Sequence, residues 1–378
     1  ITDFILEALS PADPFTSLQP VDVFVSDYEI HPIDGRLYLA IETFVLVLDA
    51  KASPHIIDLF EIQDLGDDNL IIDLEMDGLN NRLLVTTSNG KINSLDLNSS
   101  VWAENLPDEP LGEPWTLTHI TSGGDLYAFS ESGIFTINSA NTGWTLELSS
   151  STNNWPEGTP TKSIEHSGVI YTALSGGGVG RWDLTSMSAL SPWSTANNLH
   201  SDFVTNLIVT GNQLMIASSD AGIARRDLTS NFWLATWNDG NWLSSNDVKG
   251  MAHTGNELQI LTDSSIHVYN SNSGIFTSEI DITTLGLYNG GKTMFYWPSS
   301  GARSPSNDTV LVSDGSAVFA KLEPGNSPLY AGDLVIGSGP SSEEINDVMQ
   351  FNGILYSGSG SMLDRYSLSQ ARWLPPVD

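Results

Sequence analysis

The stretch that decides the fold is a pair of similar blocks in the middle of the chain. The first block reads Asp202-Phe-Val-Thr-Asn-Leu-Ile208, Gly211-Asn-Gln-Leu-Met-Ile-Ala217, Gly222-Ile-Ala-Arg-Arg-Asp-Leu228 and Phe232-Trp233. The second reads Asp247-Val-Lys-Gly-Met251, Gly255-Asn-Glu-Leu-Gln-Ile-Leu261, Ser265-Ile-His-Val-Tyr-Asn270 and Ile275-Phe276. Each block alternates apolar and polar residues in short runs that Gly, Asn or Asp interrupts, which is typical of short antiparallel strands.

Outward from these blocks, the same pattern extends over most of the chain. The residue that closes the third segment aligns at Asp49, Asp96, Asn138, Asp183, Asp227, Asn270 and Ser367. A degenerate copy over 310–322 brings the count of repeats to eight. Six residues after the aligned position stand Trp102, Trp144, Trp233, Phe276 and Trp373. We expect these rings to pack between adjacent repeats and Trp233 to be largely buried.

Four short strands in a repeat of ~40–45 residues are the signature of a β-propeller blade. The sequence therefore predicts an all-β fold with little helix: an eight-bladed β-propeller of four-stranded antiparallel blades, with seven blades as the alternative. One domain is expected over 1–378, with an N-terminal extension over 1–20. The predicted blades span 21–65, 66–110, 111–152, 153–196, 197–240, 241–283, 284–337 and 338–378.

Charge and composition exclude several classes of partner. The chain has 46 acidic and 14 basic residues, a formal net charge of −32, and no Cys. Such a chain is repelled by nucleic acid and by anionic membranes, and it has no disulfide or thiolate chemistry. No apolar run is long enough for membrane insertion. We expect an extracellular or cell-surface monomer, processed or excised from a longer precursor because it begins at Ile1.

Part of the repeat resembles a known family. Leu199-His-Ser-Asp-Phe-Val204, Leu214-Met-Ile-Ala-Ser218 and Gly222-Ile-Ala-Arg-Arg-Asp227 are similar to the repeats of two-component-regulator-type sensor propellers of bacterial and archaeal surface proteins. Leu243-Ser-Ser-Asn-Asp-Val248 and Gly178-Val-Gly-Arg-Trp-Asp183 match again. The likeness is clear over about residues 154–283 and departs at Met215 and Gln259, where the family has Trp. It implies a propeller blade and assigns no activity.

Histidines near the ends of first strands are candidate metal ligands. His119, His166 and His253, together with His31, fall near the end of the first strand of their repeats. A ring of imidazoles around a propeller axis could bind a metal ion. Their distances to the next strand differ, however, so individually hydrogen-bonded histidines are the competing interpretation.

Four aspartates define the one binding site that the sequence predicts. Asp27, Asp202, Asp247 and Asp347 each stand just before the predicted first strand of their repeat. Equivalent positions of a propeller share one face, so these carboxylates are expected to surround the axis and to attract Ca²⁺ or a cationic partner. The alternative is that each Asp stabilises its own turn.

Two functions remain open from the sequence. The first is a non-catalytic module of a secreted or surface protein that binds a ligand, a protein or a glycan. The second is a metal-dependent hydrolase or lyase with its site at the propeller axis. Because no catalytic motif is present, the sequence favours the binding module and predicts no catalytic residue.

Overall fold

Regular structure in the described part of the chain consists of strands and two short 3₁₀ helices, Thr195–Asn197 and Ile282–Leu285. The structure is a computed structural model. It describes residues 25–49, 56–62, 70–103, 106–149, 155–254, 256–285, 287, 291–297, 309–313, 318–323, 329–335, 345–351, 354–359, 362–367 and 372–377. The predicted extension 1–20 lies outside these residues. No helix among them is long and apolar enough to span a bilayer.

Thirty-two strands are numbered here in chain order and repeat in groups of four. The first strands are β1 (Val25–Ile30), β5 (Ile71–Asp77), β9 (Leu117–Ile120), β13 (Thr159–His166), β17 (Val204–Thr210), β21 (Val248–Thr254), β25 (Thr293–Trp297) and β29 (Ile345–Phe351). The second strands are β2 (Leu37–Ile41), β6 (Arg82–Thr87), β10 (Leu126–Ser130), β14 (Val169–Ser175), β18 (Gln213–Ser218), β22 (Glu257–Thr262), β26 (Thr309–Ser313) and β30 (Ile354–Ser359).

The third and fourth strands of each group complete its four-stranded sheet. The third strands are β3 (Phe44–Leu48), β7 (Ile92–Asp96), β11 (Gly133–Ile137), β15 (Gly178–Asp183), β19 (Ile223–Asp227), β23 (Ser265–Asn270), β27 (Val318–Glu323) and β31 (Met362–Ser367). The fourth strands are β4 (Ile56–Glu61), β8 (Val101–Trp102), β12 (Trp144–Ser149), β16 (Ser188–Ala189), β20 (Phe232–Trp237), β24 (Ile275–Asp281), β28 (Leu329–Val335) and β32 (Arg372–Val377).

Each group of four strands forms one antiparallel meander. The described strands make eight four-stranded sheets, and we number these sheets 1 to 8 in chain order as blades. The second and third strands are the most apolar because both of their faces are covered by neighbouring blades. In blade 1, for example, every residue of β2 and β3 is buried. The all-β propeller of four-stranded antiparallel blades is therefore confirmed.

The predicted closed ring of eight blades is not what the structure shows. First strands of consecutive blades contact one another from β1 to β25, and β1 also contacts β25. Ile30 of β1 packs against the apolar cluster that Val310 and Leu322 of blade 7 help to form. Blade 8 forms its own sheet, but the direct contact between β1 and β25 leaves no place for β29 between them. Counting repeats does not establish which of them lie side by side.

The repeating aromatic residues lie between blades, as the sequence predicts. Trp102, Trp144, Trp233 and Phe276 pack against the apolar clusters between consecutive blades. The four rings are of intermediate burial, so Trp233 is covered over most of its surface but not all of it. They lie on the fourth strand, the outer edge of the blade, so one side of each ring faces solvent. The side chain of Trp373 lies outside the described residues.

A second set of tryptophans occupies the interior of the same interfaces, and the repeat alignment missed it. Its members come from the ends of fourth strands or from the segments that join consecutive blades: Trp115, Trp155, Trp193 and Trp237. All four are buried, and they lie at four successive interfaces, from blades 2 and 3 to blades 5 and 6. Each of these interfaces therefore has at least one buried tryptophan, and the interface of blades 3 and 4 has a second, Trp182. The other three interfaces each have a half-buried ring as well.

The aligned Asp and Asn residues form the turns between third and fourth strands. Asp227 Oδ1 accepts hydrogen bonds from the backbone N–H groups of Thr229 and Ser230 at 2.9 and 2.8 Å. Asp96, Asp183 and Asn270 make the same type of turn. Asn138 Oδ1 instead accepts from the N–H groups of Ala140 and Thr142, two and four residues onward. A short side chain that bonds to the backbone two and three residues onward stabilises a tight turn. This explains the strongest periodic signal in the sequence.

Gly180 gives a direct test of the packing between blades 3 and 4. A Cβ atom at this position would overlap Cη2 of the Trp155 ring and would lie 2.7 Å from Cζ2. Trp155 is buried and cannot move aside, so Gly180→Ala should destabilise the protein by about 1–3 kcal/mol in urea unfolding. Gly143→Ala is the matched control, since its nearest atom would be 3.4 Å away. Equal stability of the two variants would contradict this packing.

Candidate binding site in the axial channel

A cavity of about 600 Å³ lies where the first strands of blades 1 to 7 converge. Its wall includes residues from all seven of these strands, β1, β5, β9, β13, β17, β21 and β25. The first strand is the inner edge of each blade, so its side chains and unpaired backbone groups face the axis. This makes the cavity the place where residues from seven blades meet.

A β-bulge recurs near the start of the first strands, and it determines which side chains of different blades lie at the same height along the cavity wall. Pairing with the second strand is interrupted after the first residue of β1, β5, β17, β21 and β29, and after the second residue, Pro160, of β13. The residue after the bulge is Asp27 in β1, Asp73 in β5, Lys162 in β13 and Asn206 in β17. A bulge adds one residue and re-aims the side chains that follow it. Charged and amide side chains of different blades are thereby placed at the same level.

Lys162 crosses the channel from blade 4 to blade 1. Its Nζ lies 3.0 Å from Oδ1 of Asp27. Burial alone lowers the pKa of Lys162, but the carboxylates of Asp27, Glu29 and Asp73 outweigh burial, and the pKa lies well above its usual value. Lys162 is therefore a permanent cation, and its ion pair with Asp27 links non-adjacent blades.

The carboxylates of the wall also bind the backbone of the next blade. Asp27 Oδ2 accepts a hydrogen bond from the N–H of Leu74 at 2.9 Å, and Asp73 Oδ2 accepts one from the N–H of Thr118 at 2.8 Å. Glu75 Oε1 accepts one from the N–H of Ile120 at 2.6 Å. An inner edge strand presents unpaired N–H groups, and these side chains satisfy them. The acidic residues thus connect blades 1, 2 and 3.

Two of these acids hold protons more tightly than usual. Burial, followed by the charge of Asp27, raises the pKa of Asp73 well above its usual value, against the opposing effects of Lys162 and Thr118. Burial, followed by the charge of Glu29, raises the pKa of Glu75 in the same way. Burial is thus the larger cause for both groups, and the neighbouring acids add to it.

His119 lies between these acids and blade 4. Its Nδ1 is 3.0 Å from Ser163 Oγ and 3.9 Å from Glu75 Oε1. Burial lowers its pKa to about 4, so the imidazole is neutral at pH 7. In a Ser-His-acid triad the hydroxyl and the carboxylate contact opposite ring nitrogens. Here both contact Nδ1, so these three residues do not form a triad.

Positive charge is concentrated at the same cavity. The sequence has six lysines, and three of them, Lys162, Lys249 and Lys292, belong to its wall. In a chain of net charge −32 this is a strong local enrichment. In the sequence, Lys249 lies about two repeats after Lys162, and Lys292 lies about one repeat after Lys249. This periodic spacing is the sequence signal that could have identified them.

The structure gives the four aspartates of the predicted binding site different positions and partners. Asp27 follows the bulge within β1 and belongs to the cavity wall. Asp202 and Asp247 precede β17 and β21. The Asp202 carboxylate accepts hydrogen bonds from the backbone N–H and the hydroxyl of Thr195, and Asp247 forms an ion pair with Lys249. Asp347 follows the bulge of β29, and its side chain lies outside the described residues. The four therefore do not occupy one equivalent position.

The candidate metal ligands do not come together either. His119 contacts Ser163, and His253 Nε2 contacts Thr210 Oγ1 at 2.9 Å. His166 ends β13, while His31 Nε2 contacts Asn81 Oδ1. Within the described ranges, no three His, Asp or Glu side chains are arranged to hold a metal ion.

The raised pKa of Asp73 predicts a pH dependence of stability. A carboxyl whose folded pKa exceeds its unfolded value of about 3.9 contributes stability that is lost as the pH rises through the folded pKa. Asp73→Asn cannot titrate, and its amide oxygen can still accept from Thr118. We expect urea unfolding from pH 4 to pH 8 to show this variant gaining stability relative to the unmodified protein as pH rises.

Asp183→Asn is the control for this pH series. Hydrogen bonds from the N–H groups of Thr185 and Ser186 lower the pKa of Asp183, so its contribution is lost only as pH falls toward that pKa. Its effect on stability should therefore stay constant from about pH 5 to pH 8. A constant effect of Asp73→Asn as well would show that Asp73 is ionised in the folded protein.

Comparison with known proteins identifies the fold and no family. No protein-family model and no curated protein matches the chain. Among solved structures, the Cps50 (Swd1) β-propeller domain of Myceliophteria thermophila is similar, with a TM-score of 0.55 and 11% identity over 79% of this chain and 93% of that chain. The computationally designed protein Ika8 gives a TM-score of 0.49 and 12% identity over 82% and 88%. The likeness to the Cps50 domain shows that this chain has the β-propeller fold.

Proposed function

We propose that this protein is a binding module that recognises a small polar ligand in the cavity at the axis of its propeller. The cavity of about 600 Å³ is the observation on which the proposal depends. Its volume falls in the range of ~300–1,000 Å³ that is usual for small-molecule sites, and its wall combines apolar residues with converging charged groups. Propellers generally serve as binding scaffolds, which supports the same function.

The module is proposed to be non-catalytic and to act in a secreted or surface protein. The arrangement of Ser163, His119 and Glu75 supports the first point, because the hydroxyl lacks the geometry of an activated nucleophile. The second point is supported by the sequence likeness to sensor-type surface propellers and by an acidic surface with few lysines. A protein or glycan partner on the outer surface is compatible with this function.

A thermal-shift screen of small polar metabolites tests the proposal. Compounds that raise the melting temperature of the unmodified protein should lose this effect in Asn206→Phe, which places a ring in the cavity. Asn212→Phe adds the same ring to an exposed turn and should keep the effect. The proposal fails if no compound stabilises the protein, or if stabilisation is identical in both variants.

A further inference from the structure

We propose that the exposed face of Trp242, together with the carboxylate of Glu279, is a binding site for a neutral carbohydrate. Trp242 follows β20 of blade 5 and stacks on Phe276 of β24, the outer strand of blade 6. The site therefore lies on the outer part of the interface between these blades and is separate from the axial cavity of the proposed function. The inference rests on a tryptophan that the fold does not require, on its fixed orientation and on an acceptor beside it.

The Trp242 ring is held in place with one face open. Its plane lies 12° from that of Phe276 and the ring centres are 5.4 Å apart, so one face of the indole is covered. Phe276 in turn packs edge-on against the buried Trp237 at 4.8 Å. Trp242 is nevertheless 54% exposed, so its opposite face is open to solvent. A ring that is already oriented loses little conformational entropy when a ligand packs on it.

The turn that carries Trp242 does not need a tryptophan. The backbone N–H groups of Trp242 and Leu243 both donate to the carbonyl oxygen of Asn238 at 3.0 Å, and Leu243 is buried between blades 5 and 6. The equivalent turn one blade earlier also ends on a buried leucine, Leu199, and the residue before it is Asn198. A large apolar side chain that is half in water and that the turn does not require indicates a binding surface.

Glu279 provides a hydrogen-bond acceptor on the same face of blade 6. It pairs with His267 across β23 and β24, as Phe276 pairs with Tyr269, and residues two apart on one strand share a face. The Glu279 side chain is exposed, and its Oε1 lies 4.0 Å from His267 Nε2. The backbone N–H of Ser244 donates to this Nε2 at 3.0 Å, so Nε2 carries no proton. Burial also lowers the pKa of His267, against the opposing charge of Glu279. The imidazole therefore does not neutralise the carboxylate, whose oxygens can accept from a ligand.

An open aromatic face beside a carboxylate suits a neutral sugar ring. The C–H groups on one face of a pyranose pack on an indole, while the hydroxyls at its edge donate hydrogen bonds to carboxylate oxygens. Ser244 connects the two parts of the site, because it follows Trp242 by two residues and contacts His267 beside Glu279. Ammonium ligands are usually surrounded by several aromatic faces, whereas Trp242 offers one. An anion would be repelled by Glu279 and by the net charge of −32.

Calorimetric titration with neutral oligosaccharides tests the inference, the probes being cellopentaose, mannopentaose, xylopentaose, chitopentaose and maltopentaose. At least one of them should bind the unmodified protein. Trp242→Asn, which introduces the residue type found at position 198, should weaken that binding by at least about tenfold, and Glu279→Ala should have a similar effect. Trp242→Phe keeps a flat ring and should recover most of the affinity. Phe232→Asn is the matched control, since it removes another exposed ring from the outer strand of blade 5 and should leave binding unchanged.

The inference is overturned if none of the oligosaccharides binds, or if Trp242→Asn binds them as tightly as Phe232→Asn does. Tetramethylammonium is the probe for the competing class of ligand. If it binds in place of the oligosaccharides and Trp242→Asn abolishes its binding, the site recognises organic cations and the carbohydrate assignment is wrong.

Asn206→Phe separates this inference from the proposed function. The substitution alters the axial cavity and should leave oligosaccharide binding at Trp242 unchanged. If Asn206→Phe abolishes oligosaccharide binding and Trp242→Asn does not, the sugar binds in the axial cavity. The present inference then fails, whereas the proposed function stands.

Discussion

Trp237→Ala should lower the free energy of unfolding by about 3–5 kcal/mol, as for other large core truncations. Trp237 is 2% exposed and lies between blades 5 and 6, where its ring centre is 4.4 Å from that of Tyr269 and 4.8 Å from that of Phe276. The guanidinium carbon of Arg225 lies 4.2 Å from the same ring. Truncation would therefore remove aromatic and cation–π contacts together and leave a cavity at the interface.

Trp242→Ala is the matched control for this prediction. Trp242 stacks on the same Phe276 at 5.4 Å, but it is 54% exposed. Its removal should cost no more than about 1 kcal/mol in the same urea titration. If the two tryptophan variants lost equal stability, the buried tryptophans would not be the principal contacts between blades.

Lys162→Met should cost about 3 kcal/mol, because it leaves Asp27 without its partner in a wall that is already rich in carboxyl groups. We expect a loss of stability near the lower end of the range for buried ion pairs, since the lysine side chain is one-quarter exposed. The double variant with Asp27→Asn should recover part of the loss, because the amide oxygen can still accept from Leu74. A double-mutant cycle in urea measures this coupling.

Lys91→Met controls for the loss of any lysine. Lys91 pairs with Asp108 at the surface, where both side chains are exposed, and such pairs contribute about 0–1 kcal/mol. A loss for Lys162→Met as small as that for Lys91→Met would show that the pair across the channel contributes little to the fold.

The sequence predicts the blades because their signals are local. Alternation of apolar residues predicts the strands, and the Asp or Asn at the end of each third strand predicts the turn that it stabilises, as at Asp227. Aromatic residues such as Trp233 mark the interfaces between blades, because a large ring recurs at the same position of the fourth strand.

The site is harder to predict because it depends on contacts between distant repeats. Asp27 and Lys162 are 135 residues apart and meet across the channel. The bulge that aligns Asp73 with Lys162 has no distinctive sequence, so an alignment on turn residues groups Asp27 with Asp202 instead. Which blades close the ring is also a long-range property, and the repeat count predicts it wrongly. Only the periodic placement of scarce lysines points to the cavity from sequence.

The most direct test of this account is a crystal structure of the protein grown with a compound that stabilises it in the thermal-shift screen. The account predicts density for that compound in the axial cavity, in contact with first-strand residues of several blades. Density for the compound only on the outer surface, with water alone in the cavity, would contradict it.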